Sequence, residues 1–173
     1  MGTSRTATLS PIDVTVVISQ AGFTHVIGGF AEDSNIMVER GSDNYDLYVG
    51  IDNQASRIYK ADKTAKITVN LAQTSVSNDI LDQLQRNDAN ARNSSQLFSV
   101  IVKDSSGRSV YHAQEAWVSK TPSSQFGSGM NTREWILQTA NMDSFIGGNA
   151  PISAEDVSSL EAIGATVSAD WRA

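Results

Sequence analysis

Within residues 66 to 86, KITVNLAQTSVSNDILDQLQR, the hydrophobic period changes. Ile67, Val69 and Leu71 alternate with Lys66, Thr68 and Asn70, the two-residue repeat of a half-buried strand; after Ser75 the apolar residues fall at Ile80, Leu81 and Leu84, which is helical spacing. The rest of the chain reads mainly as strands, so a single helix interrupts a β protein. It is predicted over about 76–90, with Ser77 as N-cap, Asp79 at the positive end of the dipole and Val76 stapled onto Leu81.

Strands are expected at 13–19, at 25–27 after an Ala21-Gly22 turn, at 35–41, and at 64–72. Residues 41–57 read either as one hairpin, with Tyr45, Leu47 and Val49 on one face and Ile51-Asp52-Asn53 closing it, or as an extended loop. Residues 97–104 and 109–120 flank a short turn with Gly107 and form the clearest hairpin, and 132–140 is the last predicted strand. Residues 151–164 read as a short helix capped by Ser153, with Asp156 in the capping-box position and Gly164 as its stop. At about ten residues such a helix is marginal alone and must dock on something. The expected architecture is mainly β, an antiparallel sandwich or barrel of seven or eight strands, the central helix covering one open end or face. Its core is expected to hold Ile67, Val69, Leu71, Leu81, Leu84, Trp117 and Trp135.

A chain of 173 residues fits one domain and can bury roughly 70% of its unfolded surface without a staple. With no cysteine, disulfides, thiolate metal sites and thiol nucleophiles are excluded. No apolar run exceeds three residues, as at Val16-Val17-Ile18, too short for a signal peptide or a bilayer span, so no membrane role is expected and the chain should be cytoplasmic where it is made. Net charge is −6, half of it carried by residues 150–173, with no clustered Lys and Arg to grip a phosphate backbone.

The search for chemistry is empty. His25 and His112 sit in predicted strands with no partner at ligand spacing, so no metal or other cofactor is expected. There is no G-x-S-x-G elbow, and Gly28-Gly29 and Gly147-Gly148 lack the Gly-Lys-Ser/Thr that a phosphate cradle needs. Glu32-Asp33 and Glu155-Asp156 are adjacent carboxylates rather than groups opposed across a cleft. A chain of this length without a catalytic constellation is expected to bind or build, not to catalyse.

Four blocks, in order, carry a resemblance: GFAEDSNIMVERGSDNYDLYVGIDNQASR (29–57), ITVNLAQTSVSNDIL (67–81), VKDSSGRSVYHAQEAWVSKTP (102–122) and REWILQTANMDSFIGGN (133–149). Together they resemble the tail tube proteins of contractile-tailed bacteriophages. The resemblance implies a β-sandwich with a flanking helix, six copies to a ring, and rings stacked into a hollow inner tube through which DNA passes without specific binding. It implies as partners the protein itself, a sheath, a tape-measure protein, and baseplate and tail terminator proteins, with assembly in the host cytoplasm and a final place in the virion. The chain would then be one tail tube domain over 1–173, with a family-like core over 13–149, an N-terminal arm over 1–12 and an acidic extension over 150–173. The extension could be a subunit clamp, an outer decoration or a disordered tail.

In such a tube Lys66, Thr68 and Asn70 would face the water-filled channel. Segment 43–59, with Tyr45, Tyr48 and Tyr59 and charges of both signs at Asp43, Asp46 and Arg57, would make the contact between stacked rings. A near rival is the tube of a headless contractile bacteriocin or injection particle. A rival of another class is a soluble binding module in which Trp117 or Trp135 stacks on a sugar.

Overall fold

The computed structural model describes residues 7–32 and 36–173; residues 1–6 of the expected arm and Asn35 of the third predicted strand lie outside it. The described residues form ten strands and two α-helices: β1 Val14–Gln20, β2 Phe23–Ile27, β3 Ile36–Arg40, β4 Tyr45–Val49, β5 Ala55–Tyr59, β6 Ala65–Ala72, α1 Ser77–Ala91, β7 Phe98–Asp104, β8 Val110–Lys120, β9 Thr132–Thr139, β10 Met142–Phe145 and α2 Ala154–Ala162. Eight strands make one antiparallel sheet in the order β2-β1-β7-β8-β9-β6-β3, with β10 also on β8, and β4 and β5 pair only with each other. The fold is mainly β with a flanking helix, as the periodicity requires. The ten strands exceed the seven or eight expected: segment 43–59 supplies two of them, and β10 is four residues with no alternation to announce it.

The sheet curls on itself. Buried side chains from β1, β2, β6, β7, β8, β9, β10 and α1 belong to one core cluster, although β2 and β6 lie far apart in strand order. The chain leaving β2 at one edge goes directly to the other side: the Ala72 N–H donates to Gly29 O at 2.8 Å, and the Ala31 N–H to Asn70 O at 3.2 Å. Gly29 is at φ +71° and a Cβ there would stand 2.7 Å from Ser75, so a glycine is needed both for the turn and for the close approach.

Two bulges in β8 provide the bend. Pairing with β7 runs Phe98↔Ala116 and then Val100↔Ala113, an extra residue on β8, and pairing with β9 slips again between Val118 and Lys120. The first bulge also changes which face each side chain takes. Ala113 is buried, Gln114 and Glu115 are both exposed, and Ala116 and Val118 are buried. Trp117, expected in the core by uninterrupted alternation, is therefore turned to the outer face and half-buried. Trp135 is in the core, and its indole N–H donates to Asn78 Oδ1 of α1 at 2.9 Å. Ile67, Val69, Leu71, Leu81 and Leu84 are all buried.

The start of α1 differs from the expectation. Val76, not Ser77, is the capping residue, and it is two-thirds exposed instead of stapled to Leu81. Ser77 is already helical and buried, and its hydroxyl turns to β2, accepting from the Gly28 N–H at 3.1 Å and pairing with His25 Nε2 at 2.9 Å. Ser75 donates to Gly28 O at 2.6 Å, so two hydroxyls tie the helix start to the sheet edge. Ser77→Ala should leave the Gly28 N–H unpaired and lower stability by about 1–3 kcal/mol. Urea denaturation followed by circular dichroism measures this, and an unchanged midpoint would show that the hydroxyl contributes nothing.

Candidate assembly surface

Lys66, Thr68 and Asn70 alternate with the buried residues of β6 and share the outer face of the sheet. Strand register extends that face into rows: Glu39, Lys66, Gln138 and Trp117 in one, and Met37, Thr68 and Ile136 in the next, with Asn70 opposite Glu134. Lys66 Nζ is 2.8 Å from the Glu39 carboxylate, whose hydrogen bond and charge hold the ammonium above the usual lysine range. The face is polar but not basic, and Met37, Ile136 and Trp117 give it an apolar part that the alternation of β6 alone did not reveal.

The hairpin β4–β5 carries six exposed large apolar side chains, Tyr45, Leu47, Tyr48, Val49, Ile58 and Tyr59. Every residue of both strands is exposed. Tyr45, Leu47 and Val49 share one face with Tyr59, while Tyr48 and Ile58 lie on the other, so neither face is covered. Tyr45 and Tyr59 meet with ring centroids 5.5 Å apart, the Arg57 guanidinium lies 4.1 Å above the Tyr45 ring, and Asp46 pairs with Lys60 at 2.8 Å. That pairing raises the Lys60 pKa, first through the hydrogen bond to Asp46. Asp43, also expected in the contact, lies in the connection just before β4.

The root of the hairpin is firmly held. The Gly41 N–H donates to Thr64 O at 2.8 Å and the Lys60 N–H to Asn44 O at 2.9 Å. Asp62 accepts from the Thr64 N–H and the Ser42 hydroxyl, each at 2.8 Å, and these bonds, the Thr64 one first, lower its pKa. A two-stranded hairpin is marginal in water on its own. This one is fixed at its root and exposes apolar side chains on both faces.

Residues 150–173 are ordered against the β7–β8 end. Helix α2 is capped as expected, Ser153 Oγ accepting from the Asp156 N–H at 3.1 Å, and Gly164 at φ +89° ends it. The last residues return to its start: the Ile152 N–H donates to Trp171 O at 2.7 Å and the Ala173 N–H to Ile152 O at 2.9 Å. Arg108 fastens this piece to the sheet, donating to Ala150 O at 2.8 Å while its guanidinium lies 4.7 Å over the Trp171 ring. Beside it, Asp104 accepts from the Ser106 hydroxyl at 2.6 Å and the Ser106 N–H at 2.9 Å, and these bonds, the hydroxyl first, lower its pKa. Neither Arg108 nor Trp171 stands out in the sequence, since each depends on a contact more than forty positions away.

Among the described residues no group of three or more His, Cys, Asp or Glu is placed to hold a metal, and no helix is long and apolar enough to cross a membrane. His25 is engaged with Ser77, and His112 lies opposite Asp143 in the β8–β10 pairing.

One curled sheet with a helix packed on its core, an exposed aromatic hairpin and no metal-binding cluster among the described residues has the character of a structural subunit. Residues 6–147 match the family described as Bacteriophage PhiTE tail tube protein, and the chain belongs to that family. It is 40% identical over 169 residues to a protein described as structural protein ORF10 of Pseudomonas phage KPP10, covering 96% of this chain and 98% of that one. Its fold is shared with a chain of the sheath-tube complex of an extracellular contractile injection system in the extended state, with a TM-score of 0.52, 10% identity and 80% and 91% of the two chains covered. The protein is thus a tail tube structural protein of a phage or phage-like particle, not an enzyme. The family match ends before α2.

Proposed function

We propose that the protein assembles as hexameric rings that stack into the inner tube of a contractile tail and serve as the conduit for DNA delivery. The observation that carries this reading is the hairpin β4–β5, anchored at its root and exposed with aromatic and aliphatic side chains on both faces. Ring closure needs a heterologous contact whose rotation closes, and stacking needs one that does not. The hairpin, through Tyr45, Tyr48, Tyr59 and the charged Asp43, Asp46 and Arg57, supplies the second, between rings. Assembly takes place in the host cytoplasm around a tape-measure protein, with a sheath outside and baseplate and terminator proteins at the ends. The whole chain acts as one tail tube domain, with residues 150–173 as an extension of it.

The outer face of β6 lines the lumen. There Lys66 is neutralised by Glu39 and Glu134 adds a negative charge beside Asn70, while Lys120, exposed opposite Ile136, is a single cation rather than a cluster that would hold DNA. Identity to a phage structural protein over nearly the full length favours a phage tail over a headless injection particle. The test is assembly itself. Purified protein should form rings or tubes whose mass rises with concentration, seen by light scattering and negative-stain electron microscopy; a strict monomer at high concentration would overturn the reading.

A further inference from the structure

The extension 150–173 and the β7–β8 end enclose a groove of about 780 Å³. Its walls are largely apolar, with Val110, Phe145, Ile146, Leu160, Val167 and the Trp171 ring contributing, and Phe145 and Ile146 remain well exposed. The ionisable side chains lining it are both cations, Lys103 and Arg108. The tip of the β4–β5 hairpin has the opposite character. Ile51 stands fully exposed at the turn and touches nothing that would bury it, and Asp52 beside it carries a negative charge. The tip is a closed turn: the Gly50 N–H donates to Gln54 O at 2.8 Å, the Asn53 N–H to Gly50 O at 2.9 Å, and Asn53 takes the left-handed conformation at φ 62°. A tight turn that presents one aliphatic side chain and one carboxylate matches an apolar groove with two cations at its wall.

We propose that this groove receives the hairpin tip of a neighbouring copy of the chain, with Ile51 against Phe145 and Leu160 and Asp52 facing Arg108 and Lys103. The inference rests on the reading that the hairpin joins subunits, and adds its receptor. That receptor is built in part from residues beyond the family match, which ends at residue 147. Because donor and acceptor are different surfaces of one chain, each copy gives a tip to one neighbour and takes one from another, and the contact propagates.

The chain has no cysteine, so an introduced pair reports without background. Ile51 and Ala165 are both exposed, and Ala165 lines the groove, so Ile51→Cys and Ala165→Cys do not disturb the subunit. A disulfide forms only where the Cα atoms come within about 7 Å. Tubes of the double variant, oxidised gently, should give a ladder of covalent oligomers on a non-reducing gel, and either single variant should not. Tubes without a ladder, or a disulfide confined within one chain, overturn the docking while leaving tube assembly standing. If the double variant fails to assemble, Ala165→Trp decides: by filling the groove it should keep the monomer's circular dichroism and cut tube yield at least tenfold, and tubes at wild-type yield would reject the groove. Wild-type protein that never assembles overturns both the docking and the tube reading.

Discussion

Val69→Asp is expected to give insoluble or unfolded protein, whereas Asn70→Asp, one residue along the same strand, is expected to fold and assemble. Val69 has no exposed surface and pairs with Ile36 on one side and Trp135 on the other, within the cluster that also holds Leu81. A carboxylate there has no cation to meet, and burying it costs several kcal/mol, or about the same in forced protonation, against a total stability of about 5–15 kcal/mol. Asn70 faces outward and opposite Glu134, so a second carboxylate there adds like-charge repulsion of about 0.2–1 kcal/mol that salt would screen. In a hexameric ring it would add six negative charges to a hydrated channel. Soluble yield and tube formation of the two variants test the assignment. Assembly of Val69→Asp together with misfolding of Asn70→Asp would mean that β6 sits in the opposite register and that the lumen face has been assigned to the wrong side.

The second large effect is on assembly alone. Replacing the five-residue turn Gly50–Gln54 with Asn-Gly keeps β4 and β5 paired, because a two-residue type I′ turn suits the twist of a hairpin. It removes Ile51 and Asp52 from the end. Circular dichroism and the denaturation midpoint should be unchanged, since no residue of the hairpin strands contributes to the core. Rings should persist, and tubes should be lost. Electron micrographs with tubes of normal length would remove the hairpin from the contact between rings.

What could be read in the sequence were features decided within a few residues. The alternation of β6, the helical spacing of Ile80, Leu81 and Leu84, and the Ser153–Asp156 cap each state their structure locally. Segment 43–59 drew attention through aromatics among turn formers, and the structure makes it a hairpin rather than a loop. What could not be read depended on distant partners. Ser77 has the composition of an N-cap, yet the Gly28 N–H and His25 compete for its hydroxyl across about fifty residues. Trp117 faces outward against plain alternation because a bulge leaves no mark on an alternating pattern until the partner strand is known. The groove was invisible for the same reason, being made by Arg108 and Trp171 meeting only after the chain has folded back.

That bulge also governs how the gene can change. Gln114 and Glu115 are both exposed, so their identities are free to drift, while their number sets the bend and limits what can be added. Loss of either codon would close the bulge and restore plain alternation, leaving Ala116 and Val118 facing the core and Trp117 facing out, while a further codon inserted there with the bulge kept would turn Trp117 inward and push Ala116 and Val118 out to water. In this stretch a missense change is mild, a three-nucleotide deletion straightens the strand, and a three-nucleotide insertion that keeps the bulge exchanges its two faces.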